Sequence, residues 1–165
     1  MKEWFTRIIL LSVLGALGYW GWTLSFPNPE EVIRKRLGAL AREASFFSNE
    51  GVMAQAWNAT LLSDFFTTDV EVTINVPGTE HSINGRDELL HVAMGARQVV
   101  SSLKLDFPDI KVVVAPGKEA AVVNLTARGK VAGQKEYFLQ ELRLRLIKVK
   151  RDWLIKEIVT VRTLS

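Results

Sequence analysis

Four apolar runs close the chain: Leu103 to Ala115, Ala120 to Arg128, Glu136 to Lys148 and Trp153 to Arg162. Turn-forming residues separate them at Pro116-Gly117, at positions 129–133 and at Lys150-Arg151-Asp152, the spacing of strands joined by hairpins. In the third run Phe138, Gln140, Leu142, Leu144 and Leu146 share one face, while Tyr137, Leu139, Glu141, Arg143 and Arg145 share the other. A meander of this kind has one apolar face to bury. Helices have to cover it.

The preceding residues supply three. Asn28 can cap a first helix, Pro29 suits its first position and Glu31 stands three after the cap. Ile33, Leu37, Leu40, Ala41, Ala44 and Phe47 then fall on one stripe, which predicts a helix reaching about Phe47. Ser48 to Gly51 breaks that pattern, and Met53, Trp57, Thr60, Leu61 and Phe65 make the inward stripe of a second helix ending near Phe66. Asp69 to Val76 alternates as a first strand, with Val70, Val72, Ile74 and Val76 on one side and Asp69, Glu71, Thr73 and Asn75 on the other; Pro77-Gly78 stops it. Ser82 to Arg86 leads into a third helix with Leu89, Val92, Ala93, Ala96 and Val100 as its buried face. The expected fold class is α+β, with three N-terminal helices packed on a mostly antiparallel sheet.

Apolar residues make up 48% of the chain, and part of that excess lies at one end, where the 22 positions 8–29 carry no charge. About 20 apolar residues cover the ~30 Å hydrocarbon core of a bilayer. Trp4 and Phe5 precede the stretch and Tyr19, Trp20, Trp22 and Phe26 crowd its far end, as residues of the membrane interface do. This predicts a tail over 1–7, a transmembrane signal anchor over 8–28 with Ile8 to Leu24 in the membrane, and a domain over 29–165. A cleaved signal peptide is the alternative, since Lys2 and Arg7 form a basic tip and Ala16-Leu17-Gly18 offers small residues at a cleavage spacing. Cleavage would leave the aromatic Tyr19-Trp20-Gly21-Trp22 at the new terminus. A short basic tail ahead of a first span exports the residues beyond that span. The expected location is therefore the inner (cytoplasmic) membrane, single-pass, with the domain extracytoplasmic; Arg34, Lys35, Arg36 and Arg42 beyond the span keep the cytoplasmic orientation open. With almost no linker after the span, the domain sits close to the bilayer.

The net charge of +3 is uneven. Positions 128–165 carry ten Lys/Arg against four Asp/Glu, while positions 30–127 carry nine against thirteen. The basic last strands read as a solvated sheet face, or as a surface for anionic lipid or an acidic partner. They lack any nucleic-acid recognition motif. The absence of Cys excludes disulfides, thiol catalysis and Cys-ligated zinc. His81 and His91 lack a carboxylate partner at metal-ligand spacing, and neither a Gly-rich phosphate loop nor a Gly-x-Ser-x-Gly elbow occurs. No metal, cofactor or nucleic acid is expected.

Phe65-Phe66-Thr67-Thr68-Asp69-Val70 entering the first strand, Ile83-Asn84-Gly85-Arg86-Asp87-Glu88-Leu89 opening the third helix, and Trp153-Leu154-Ile155 in the last strand occur in a telling order. From about Asn28 to Thr163 the chain resembles the nuclear transport factor 2-like superfamily, which includes SnoaL-like proteins and ketosteroid isomerase. The resemblance implies a cone in which the sheet wraps the helices, a pocket at the open end, and an outer sheet face that often dimerises. In the isomerase an Asp after the first strand moves a proton, and a helix-one Tyr with a protonated Asp of a late strand stabilises the oxyanion. The matching positions here are Asn75 and Gln140, and the first helix has no Tyr. An amide cannot take a proton near neutral pH. The reading is therefore a membrane-anchored, non-catalytic binding or assembly module. Its pocket is expected to be bounded by Trp57, Asn75, Phe138, Gln140 and Leu142 and to hold a small molecule, and a homodimer is expected through Tyr137, Leu139, Glu141, Arg143 and Arg145. The alternative is a small pocket enzyme of isomerase, dehydratase or hydrolase type, with Asp64 and Asp69 as its next candidate groups.

Overall fold

The computed structural model describes residues 12–13, 28–47, 60–76 and 79–161. Helix α1 spans Pro29–Ala44, as its cap dictates: the Asn28 side-chain oxygen accepts the Glu30 N–H at 3.1 Å and Pro29 opens the helix. It ends short of the expected Phe47. The Ser45 hydroxyl donates to the Ala41 carbonyl at 2.7 Å and accepts the Leu105 N–H at 2.9 Å, and Phe46 then bridges Leu103 through two backbone hydrogen bonds. The chain leaves the helix to satisfy backbone groups of a neighbouring strand, which an apolar stripe alone does not reveal.

Residues 60–63 are helical and Asp64-Phe65 is a turn; most of the expected second helix, Trp57 included, lies outside the described residues. Strand β1, Phe66–Val76, starts three residues earlier than the alternation suggests. It is followed by β2, Thr79–Asn84, which pairs with it from Glu71↔Asn84 to Val76↔Thr79. The sequence marks this second strand only as a lead-in to a helix, because Ile83 is the one apolar residue in it. Gly85, at φ 93°, makes the corner and donates to the Val70 carbonyl at 2.7 Å. Helix α2, Arg86–Val99, follows, with the Glu88 carboxylate reaching back to the Asn84 N–H at 2.9 Å. Its expected buried face is corrected: Leu89 and Ala93, joined by Leu90, pack partly buried against the core, while Val92 and Ala96 are exposed. No α2 residue is fully buried.

The remaining strands are β3 (Leu103–Asp106), β4 (Ile110–Val114), β5 (Ala120–Val131), β6 (Phe138–Val149) and β7 (Asp152–Thr160). The first apolar run is two strands rather than one, both antiparallel to β5. Pro108 has no N–H to donate, and at this join the Thr126 N–H is shared between the Asp109 carboxylate at 3.0 Å and the Asp109 carbonyl at 3.4 Å. The sheet order is β2-β1-β7-β6-β5-β3, with β4 beside β5, and β1 and β7 run parallel. Irregular register at Phe66/Glu71 and at Arg145/Leu146 falls in the same part of the sheet, where the extra residue Lys156 meets Asp69 at 3.1 Å. Such bulges bend a sheet.

Helix α1 lies along the inner face, its Arg34 guanidinium donating to the Ile110 carbonyl near one end and Ser45 meeting Leu105 at the other. Ile33 and Leu37 of α1 pack with Val70, Val123, Leu144, Leu146, Trp153 and Ile155. Among the described residues no helix is long and apolar enough to cross a membrane; the Ile8 to Leu24 stretch lies outside them except for Ser12 and Val13.

Candidate functional site

Between α1 and the inner sheet face lies a cavity of about 180 Å³. Its described lining is apolar throughout: Leu40 and Ala44 from α1, Leu62, Phe66, Leu105 and Phe107 around them, and Leu125, Ala127, Leu142, Leu144 and Ile158 from three adjacent strands. The period of two puts these positions there, because β5 and β6 align Leu125 with Leu142 and Val123 with Leu144 on one face. Such a space favours an apolar group. A polar ligand atom placed in it would lose its hydrogen bonds to water and gain none from these side chains.

Of the residues expected around a pocket, Leu142 lines this cavity. Gln140, two positions along the same face, spends its amide on the backbone, donating to the Glu141 carbonyl at 3.0 Å and the Val161 carbonyl at 3.3 Å. Phe138 lies over Gly129, its cross-strand partner. Asn75 stands at an outward position of β1, since Val70, Val72 and Ile74 face the core; its N–H donates to the Thr160 hydroxyl oxygen at 2.7 Å. Trp57 is outside the described residues.

The residues expected at an interface do share the outer face. Arg145 pairs with Glu157 at 3.0 Å, and the Arg143 Nε donates to the Asn124 side-chain oxygen at 3.3 Å. Both arginines border a shallow groove of about 420 Å³ with Val122 and Val159, and Arg143 and Glu141 border a neighbouring recess of about 280 Å³. Tyr137 and Leu139 stand at the far end of the face. The Tyr137 ring lies 5.5 Å from the Arg128 guanidinium and 5.1 Å from the Lys130 ammonium. Arg128 also grips Asp106 through Nε at 3.0 Å and through Nη2. That hydrogen-bonded guanidinium holds the Asp106 carboxyl below the usual range, and the same contact raises Arg128. This cluster is hidden from a sequence reading because β5 runs three residues past the expected strand end at Arg128. The alternation of Thr126, Arg128 and Lys130 is the available signal. Among the described residues no group of three or more His, Asp or Glu gathers in a metal-binding arrangement.

No family model matches the sequence, and no curated protein matches it. Solved structures do resemble the fold. A candidate scytalone dehydratase from Novosphingobium aromaticivorans superposes with a TM-score of 0.63 over 82% of this chain and 84% of its own, at 14% identity. A nuclear transport factor 2-like protein of unknown function from Pseudomonas putida gives 0.61 over 81% and 85%, at 7% identity. A nuclear transport factor 2-like protein with a cystatin-like fold, also from Novosphingobium aromaticivorans, gives 0.58 over 89% and 88%, at 16% identity. At these identities the shared property is architecture, and the chain from α1 to β7 has the nuclear transport factor 2-like, cystatin-like α+β cone fold.

Proposed function

We propose that the chain is a membrane-anchored binding module, non-catalytic, whose cone cavity holds a small apolar molecule or the apolar end of a larger one. The observation that carries the reading is the cavity lining, which offers shape and apolar contact but neither a proton donor nor an acceptor among its described side chains. At about 180 Å³ the space is below the ~300–1,000 Å³ of drug-sized ligand pockets and close to engineered apolar cavities of ~150 Å³ that take up benzene. A ring or a short alkyl chain fits. The anchor rests on the uncharged positions 8–29 and their aromatic flanks.

The test is organic extraction of the purified full chain with mass spectrometry, alongside methyl NMR of Leu, Val and Ile groups with benzene as an added probe. We expect an apolar compound to co-purify, or benzene to shift the Leu125, Leu142 and Leu144 methyls. Ala127→Phe, which fills the cavity, should abolish both. Unmoved methyls together with an empty extract would end the reading.

A further inference from the structure

The outer face of β3 to β6 gathers six cations, Lys104, Lys111, Arg128, Lys130, Arg143 and Arg145, against the carboxylates Asp106, Asp109 and Glu141 and the Glu157 of β7 that pairs with Arg145. Lys104 and Lys130 are direct cross-strand partners, both exposed, and neither forms an ion pair among the described residues. Like charges set opposite each other in a ladder repel. An anionic surface meeting both would relieve that repulsion. Apolar side chains stand between the cations: Val113 and Leu139 are each 64% exposed and Tyr137 is 53% exposed.

We infer that this face docks on an anionic bilayer. Charge complementarity selects the class of partner, and the interleaved Tyr, Leu and Val suit immersion among headgroups, where Tyr presents an apolar body and a polar tip. Each Lys or Arg brought to an anionic lipid surface strengthens binding about fivefold. A second copy is a poorer occupant, because a two-fold axis would set Arg143 and Lys111 against the same positive face. The inference goes beyond the cavity reading and stands whether or not positions 8–28 anchor the chain.

The chain has no Cys, so one introduced thiol can be labelled alone. The full chain carrying Leu139→Cys with a nitrobenzoxadiazole label is reconstituted into phosphatidylcholine vesicles with or without phosphatidylglycerol. A control label goes on Val99→Cys of α2, on the helix side. The Leu139→Cys label should shift to the blue and resist iodide quenching only with phosphatidylglycerol, and raised salt should reverse this; the Val99→Cys label should stay wet in both. Lys130→Glu should weaken docking at least about tenfold while leaving the thermal midpoint close to that of the wild type, because the opposite-charge pair it makes with Lys104 offsets the lost contact of Lys130 with the Tyr137 ring. Loss of docking would then not be loss of fold. Equal iodide access in both lipids overturns the inference, as does protection that is independent of lipid charge and accompanied by disulfides between copies of the unlabelled Leu139→Cys variant. A chain that fails to insert sinks the anchor; added from solution to the same vesicles, it still reads the face by lipid dependence.

Discussion

The far edge of the Phe138 ring lies over Gly129, so close that a β-carbon built at position 129 would overlap the ring. The two are directly paired across β5 and β6. A glycine inside a strand costs stability in isolation, and an aromatic laid over it recovers packing. The sign of Gly129→Ala should therefore depend on residue 138. In the wild type the substitution pushes the half-exposed ring into solvent and should destabilise by about 1 kcal/mol. In a Phe138→Ala background it should stabilise by roughly 0.5 kcal/mol, because a less flexible residue replaces glycine. Urea midpoints of the wild type, both single variants and the double variant decide the matter, and strict additivity would mean that the ring contributes nothing at Gly129.

Asp106 and Arg128 give an acid signature. The Arg128 hydrogen bonds hold the folded Asp106 pKa below its ordinary 3.8, so the pair contributes stability above that value and loses it as pH falls through the lower folded value. Their side chains are 42% and 43% exposed, so solvent screening keeps the contribution small. Asp106→Asn should be slightly less stable than wild type at neutral pH, with the difference closing only below about pH 4 and shrinking in high salt. A difference that persists unchanged into strong acid would show that packing, rather than charge, is what the substitution disturbs.

The first helix is capped by a residue that the sequence identifies, and this can be measured. Asn28→Ala should cost about 1 kcal/mol in thermal or urea unfolding, and Asn28→Asp should cost much less, since a carboxylate also accepts the Glu30 N–H and favours the helix N-terminus. Equal losses in the two variants would mean that Pro29 and the first-turn glutamates fix the helix start without the cap.

What the sequence shows plainly is whatever depends on local period. The alternation of β5 and β6, the inward and outward sets of β6, and the α1 stripe of Ile33, Leu37, Leu40 and Ala41 all appear as their spacing requires. Features that depend on a partner distant in the chain do not show. Ser45 ends α1 because Leu105, 60 positions away, needs an acceptor. Strand β2 exists because β1 offers it a ladder, although its own composition is polar. The candidate site divides in the same way. Leu142 is legible as an inward apolar residue, whereas the commitment of Gln140 to the Val161 carbonyl needs the end of β7 alongside. The pairing of Lys104 with Lys130 needs a strand register that no short window contains.

Asn75 carries the last prediction, because the resemblance places it where the isomerase keeps its base. Its outward position on β1, alternating with the core-facing Val70, Val72 and Ile74, puts its side chain on the side of the sheet away from the apolar cavity. A carboxylate introduced by Asn75→Asp should therefore keep solvent contact and titrate within about one unit of the ordinary value near 3.9, read by carbon-detected NMR. It should not confer proton abstraction from an activated ketone. The contrasting variant is Leu142→Glu, which places a carboxyl against the cavity with no partner among the described lining. Burial disfavours its charged form, so its pKa should rise by several units and the domain should lose a few kcal/mol, more at high pH than at low. The sign comes from linkage: a folded-state pKa above the unfolded one means that the folded state binds the extra proton, and stability falls as pH climbs. If the Asn75→Asp carboxyl instead titrates near neutrality and the Leu142→Glu carboxyl near its ordinary value of about 4.3, the enclosed face is the one that carries Asn75, and the cavity reading must be abandoned.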